Sequence, residues 1–289
     1  MNGKLIILAS VLIATLAVIA AGSGLLTDLY KNDTKSGAAQ ERGNDLVTLA
    51  LCVPLLLVSG HFAARGSLRG RLAWTGTVFY FLYTYAMSSF LAAYNPLFLS
   101  YVAIFSLALY TLAASLLTLD AEAVKERLSK APLKITAGFM FAVSATLSLQ
   151  WLGVIIPPLL AGQKPALLET YTTMVVQAMD LGVLVPLGIV TGTLLLKRSA
   201  WGYLLASVFL IKGVTYGTAV LSMGLFQSMD GIAVSLPFAL AVATLVAFAL
   251  ALTVAFYGRM KVPAAARKAA SAREAATGNI LCMAGQSGL

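Results

Sequence analysis

Two charged side chains fall where charge is most expensive. Asp180 and Lys212 lie inside the apolar hairpin MDLGVLVPLGIVTGTLLLKRSAWGYLLASVFLIKGVTYG, residues 179–217. A lysine at mid-bilayer costs at least about 2.5–3.5 kcal/mol, and such groups face a bundle interior or a cavity, where the amine can bind an anionic group or gate protonation. Counting about 1.5 Å per residue from the basic boundary puts Lys212 roughly 16 Å deep and Asp180 roughly 25 Å deep. The Cβ vectors of the two helices lean in opposite directions, so a direct salt bridge is not expected. Asp180 is expected to meet Gln150 or an outer vestibule. Lys212 is level with Tyr83, Tyr110 and Ser106, whose rings or hydroxyls can hold an ammonium. The candidate binding set is Lys212, Asp180, Tyr80, Tyr83 and Gln150.

Other chemistries lack their residues. The sequence contains no HExxH, no GxSxG and no Walker lysine motif. His61 is the one histidine, and Cys52 and Cys282 form no CxxC pair. No catalytic residue, metal site or cofactor is therefore expected. A Schiff-base lysine of the retinal type is disfavoured because no carboxylate lies level with Lys212. His61 reads as an interfacial residue rather than a proton relay.

The elements that must hold these residues are membrane helices. Of the 289 residues, 60% are hydrophobic and 11% charged, far from the quarter or so of charged residues in soluble domains. Apolar runs long enough to cross about 30 Å of hydrocarbon number eight, at roughly 5–26, 46–64, 73–93, 97–118, 135–158, 171–196, 201–225 and 234–257. The fold class is thus an all-α, polytopic transmembrane bundle of eight spans covering residues 1–257, followed by a basic, Ala-rich tail over 258–289. With both termini inside, 15 of the 20 Lys and Arg are cytoplasmic, as the positive-inside rule requires. The net charge of +9 is thereby a topology signal, and nucleic acid is excluded as a partner.

The first span is expected to be a retained anchor, since its apolar run to Leu26 exceeds a usual signal-peptide core. The polar stretch Thr27 to Asp45 reads as an external loop. Tyr94-Asn95-Pro96 reads as a turn, LDAEAVKERLSKAPLK as a short amphipathic cytoplasmic helix, and Tyr80, Tyr83 and Tyr85 as buried tyrosines whose hydroxyls need partners. Pro54 and Pro186 are expected to kink spans two and six at matched heights. Gly188 with Gly192, and Gly213 with Gly217, have the GxxxG spacing of close helix packing.

Shifting the chain by 132 residues aligns 46–70 on 178–202 without gaps, with eight of 25 positions identical. Val53-Pro54-Leu55 falls on Val185-Pro186-Leu187, and Tyr80 on Lys212. The alignment predicts two halves, 1–130 and 131–257, each of four spans in the same orientation. Chance similarity between apolar helices is the rival explanation.

The passages YNPLFLSYVAIFSLAL (94–109) and MDLGVLVPLGIVTGTLLLKRSAWGYLLASVFLIKG (179–213) resemble a recurrent type of uncharacterised bacterial multi-pass membrane protein. The resemblance implies a bacterial cytoplasmic membrane and carries no activity. The leading expectation is a transporter or permease-like protein binding a small anionic solute at Lys212. The alternative is a non-catalytic scaffold or sensor acting through a membrane-protein partner or as a homo-oligomer, and a membrane enzyme comes third.

Overall fold

Seven helices are long and apolar enough to cross a membrane, which makes this chain an all-helical, multi-pass membrane protein. The computed structural model describes residues 1–260, and no strand occurs among them. The helices are α1 (Gly3–Leu26), α2 (Lys35–Ala64), α3 (Leu68–Phe90), α4 (Phe98–Thr118), α5 (Ala121–Arg127), α6 (Leu133–Leu160), α7 (Val175–Leu196), α8 (Ala200–Met229) and α9 (Leu236–Gly258). The expected tail, including Cys282, lies outside the described residues beyond Met260. All long helices except α3 meet the apolar criterion. Helix α3 has the length, 23 residues, but starts with Arg69 and Arg71 and carries a Thr- and Tyr-rich run that is buried almost throughout.

One end of the bundle gathers Arg65, Arg69, Lys125, Lys130, Lys197 and Arg198 in its connections, and Arg69 ties that end together by donating to the Met260 carbonyl at 2.7 Å. At the far end, Arg42 on α2 pairs with Asp230 after α8, and Gln227 donates to Ser36 at 2.8 Å. Helix α5 connects α4 to α6 as a short amphipathic helix. Asp120 caps it at the Ala123 N–H, 3.1 Å, Val124 and Leu128 are fully buried, and Lys125 and Glu122 pair on its outer face.

The stretch Thr27 to Asp45 is not a loop throughout. Thr34 accepts from the Gly37 N–H at 2.9 Å and starts α2 at Lys35, eleven residues before the apolar run. The polar residues stay helical because they have buried partners. Glu41, Asn44, Asp45 and Thr48 share one face by their spacing. Tyr30 donates to Asp45 at 2.7 Å, and Tyr80 reaches Asn44 at 3.1 Å and Thr48 at 2.8 Å. Gly43 allows this helix to lie on α8, where an added Cβ would come within 2.6 Å of the Met223 backbone.

Pro54 and Pro186 each sit just after a π-helical turn, at Thr48–Cys52 and Asp180–Leu184. The wider turn absorbs the donor that proline lacks. Two further features recur at the same 132-residue spacing. The corner after α2 uses Gly66 at φ +82°, and the corner after α7 uses Arg198 at φ +54°, with matching backbone bonds from Ser67 to Phe62 and from Ser199 to Leu194. Gly70 lies against Phe62 and Ala63, and Gly202 against Leu194 and Leu195.

Helices α3 and α8 form the centre. Alternating faces of α3 serve two cores: Leu72, Phe79 and Tyr83 join the core of α6 to α9, whereas Trp74, Val78, Tyr80 and Phe81 join that of α1, α2 and α4. The two helices cross where Gly76 meets Ile211 and the Val208 carbonyl, a Cβ there falling 2.6 and 2.9 Å from them. The GxxxG expectation holds for Gly188 and Gly192, which face Ser144 and Phe141 on α6. In the other pair Gly217 lies against Val246 on α9, whereas Gly213 meets nothing within 4 Å because it faces a cavity.

The corner glycines give a direct test. Gly70→Ala and Gly202→Ala should each lower stability by about 1–3 kcal/mol through overpacking, measured by thermal unfolding in detergent, while Gly138→Ala, which meets nothing within 4 Å, should not lower the midpoint.

Candidate functional site

The structure brings Lys212 and Asp180 to one tyrosine, Tyr83. The Lys212 ammonium lies 3.8 Å from the centroid of Tyr83 and 4.1 Å from that of Tyr216, with Phe79 at 5.9 Å. The Tyr83 hydroxyl donates to Asp180 Oδ1, and Trp151 Nε1 donates to Oδ2 at 2.7 Å. Both charged residues are buried, Lys212 at 3% and Asp180 at 4% exposure. Neither belongs to an ion pair among the described residues.

Four elements position this group. Tyr83 comes from α3, Trp151 from α6, Asp180 from the π-turn of α7, and Lys212 with Tyr216 from successive turns of α8. The π-turn sets Asp180 on the inner face of α7. The i,i+4 spacing stacks Tyr216 beside Lys212, and Tyr216 meets Tyr83 edge to face at 4.9 Å. A desolvated cation–π contact is worth about 2 kcal/mol, so two rings offset the insertion cost of a central lysine, about 2.5–3.5 kcal/mol. Both oxygens of Asp180 are satisfied by donors. The ammonium has only ring faces, and it is the one group here left wanting an acceptor.

Several expected neighbours stand elsewhere. Tyr80 belongs to the other core, where its hydroxyl meets Asn44 and Thr48. Tyr110 is 71% exposed on α4; it shares the height of Lys212 but not its side of the bundle. Asp180 bonds to Trp151 and Tyr83 rather than to Gln150, which lines the same cavity. His61 is exposed. Trp151 and Tyr216 were not anticipated. The four-residue spacing from Lys212 is the signal that points to Tyr216.

Two cavities meet at this site. A slot of about 300 Å³ runs between α6, α8 and α9 and is lined by Lys212, Asp180, Gln150, Phe209, Gly213 and Leu245, among others. A vestibule of about 280 Å³ opens at the far end beside Asp33, Glu41, Glu169 and Gln177. Gln40, Trp151, Val176, Tyr216, Met223 and Gln227 line both. At the vestibule mouth, burial pushes the Asp33 carboxyl above its ordinary range, partly offset by the hydrogen bond from the Ala93 N–H. The charged pair also has a neutral counterpart. Thr48 and Tyr80, 132 residues before Asp180 and Lys212, hydrogen-bond directly at 2.8 Å.

Comparison of the chain with protein-family models, with curated proteins and with solved structures finds no match.

If Tyr83 couples the two charges, their removal should not be additive. Asp180→Leu alone should cost about 3–5 kcal/mol, because it strands a buried charge. Adding Lys212→Met should recover at least about 1 kcal/mol of that loss. Denaturant unfolding of the two single variants and the double variant measures this coupling.

Proposed function

We propose that the chain is a transporter or permease-like protein of the bacterial cytoplasmic membrane that binds an anionic group at Lys212. The carrying observation is that a buried ammonium without an ion-pair partner among the described residues borders a slot of about 300 Å³ between membrane-spanning helices. Binding sites of membrane transporters lie near the midplane, at the interface between repeats, and Lys212 is bounded here by α3 of one half and α8 of the other.

The architecture in this reading is eight spans, with α3 as the eighth. The length of α3 supports it, as does its central position: surrounding helices shield its Thr and Tyr hydroxyls from lipid. Both termini are cytoplasmic in this reading, and the far-end vestibule is external. The support is the basic end, since Lys and Arg accumulate in cytoplasmic connections.

The two halves read as parallel repeats related by a pseudo-twofold along the membrane normal. The paired π-turns, the paired corners and the paired corner glycines, all 132 residues apart, support this. So does the crossing of α3 and α8: Gly76 touches Val208, its own counterpart at that spacing, as residues on a twofold axis do. The second half carries the functional charges where the first keeps a neutral Thr–Tyr pair. The same cavity supports a second reading, a scaffold whose partner helix fills the slot, because α9 is buried only at Ala249, Leu252 and Phe256.

Two measurements test the proposal. With Cys282→Ser in the background, an impermeant maleimide should label Asn32→Cys and Gln163→Cys in intact cells, and Arg65→Cys and Lys130→Cys only after permeabilisation. Labelling of the second pair in intact cells would overturn the topology. In a thermal-shift screen of carboxylate and phosphate solutes, at least one should raise the melting temperature of the wild type and leave Lys212→Met unmoved. Loss of a co-purifying membrane protein in Lys212→Met, with no solute effect, would favour the scaffold.

A further inference from the structure

The two halves differ most in how their outer helices close. The buried residues of α1 run from Ile6 to Gly24, almost its whole length. Those of its counterpart α6 stop at Ser144, and those of α9 lie at Ala249, Leu252 and Phe256. Helices α6 and α9 therefore meet only toward the basic end, where Phe139 and Phe248 lie 5.5 Å apart. Beyond that contact both helices line the slot, which extends along α8 from Phe209 to Gln227. At about 1.5 Å per residue, its length is about 27 Å. A cavity of about 300 Å³ drawn out over that length is narrow.

Its lining is mixed in a specific order. Phe139, Val143, Phe209, Leu245, Val246 and Ala249 form the apolar part, and Lys212, Asp180, Gln150 and Trp151 stand partway along. Asp180 has both oxygens occupied by donors, so the ammonium is the group here that still lacks a hydrogen-bond acceptor, and a carboxylate supplies one. The vestibule offers an anion a poor route, because the charged residues lining it are Asp33, Glu41 and Glu169. The gap between α6 and α9 offers another, from the side.

We propose that the slot binds a single-chain carboxylic amphiphile, entering laterally between α6 and α9, with its carboxylate at Lys212 and its hydrocarbon chain along the apolar lining. Narrowness selects one chain over two. A carboxylic acid can cross hydrocarbon neutral and ionise at the site by giving its proton to water, a route closed to a phosphodiester, which keeps its charge. This proposal rests on the anion-binding reading of Lys212 and names the class of molecule that carries the anion.

The test uses the full-length protein in phosphatidylcholine nanodiscs, with dibromostearic acid as a contact quencher of tryptophan fluorescence. The Trp151 component is the difference between the wild type and Trp151→Phe. It should be quenched saturably. Gly213→Leu fills the slot where an added Cβ meets nothing within 4 Å, and it should weaken binding by at least about tenfold. Lys212→Met should do the same through loss of a charge-assisted contact, again by about tenfold. Quenching that does not saturate, or that Gly213→Leu leaves unchanged, overturns the amphiphile. Equal quenching by brominated phosphatidylcholine with the same Gly213 dependence assigns the slot to a bilayer lipid and also overturns it. If the amphiphile fails while short water-soluble carboxylates still stabilise the protein in a Lys212-dependent way, the anion site of the previous section survives; if neither binds, both proposals fall.

Discussion

The structure depends on one tyrosine that serves two charges at once. The face of Tyr83 carries the Lys212 ammonium, and its hydroxyl carries the Asp180 carboxylate. Aromatic rings are negative on the face and positive at the edge, so the ring is polarised in the sense both charges require. A direct ion pair in this setting gives up hydration on both sides for one contact. Here each charge contacts Tyr83 instead, Lys212 at the ring face and Asp180 at the hydroxyl, with Tyr216 and Trp151 supplying a second partner to each. The arrangement leaves the ammonium approachable from the slot.

That constraint explains the backbone around it. Asp180 opens the π-turn of α7, and the widened turn followed by Pro186 places it toward α3 and α6 rather than toward lipid. π-turns inside α-helices are uncommon and concentrate at functional positions. The matching turn in α2 starts at Thr48, where the side chain meets Tyr80. One backbone device thus presents a neutral Thr48–Tyr80 pair between α2 and α3, and the charged residues Asp180 and Lys212 between α7 and α8. The segments leading to the two turns differ. In α2 it is a full helix with buried Asn44 and Asp45; before α7 the chain is irregular from Gly162 to Met174, apart from a short 3₁₀ turn at Ala166–Leu168.

Much of the fold was legible because lipid imposes a simple rule: about twenty apolar residues cross it. Helices α1, α4, α6, α8 and α9 lie close to where that rule puts them, and the turn at Asn95 forms as its proline requires, with Asn95 accepting from the Leu97 N–H at 3.0 Å. Helix α2 was half hidden, since Lys35 to Asp45 is polar by composition and its helical character shows only in the spacing of Glu41, Asn44, Asp45 and Thr48. For the site, height could be counted and azimuth could not. Depth alone grouped Tyr83 and Tyr110 with Lys212, yet only Tyr83 faces it. Trp151 escaped notice because tryptophan near the end of a span reads as an interfacial anchor, and the slot could not be foreseen at all, since it depends on how far α6 and α9 diverge.

The central claim is that the Lys212 side chain is held between two tyrosine rings at the heart of the bundle. Magnetic resonance of the protein in nanodiscs, with selectively labelled lysine, reads this directly, because protons over an aromatic face are shifted upfield. One lysine should show ε-methylene protons well upfield of all the others, and that signal should move to the ordinary position in Tyr83→Leu. A spectrum in which every lysine lies at the ordinary position would mean that the ammonium is elsewhere and would contradict the account.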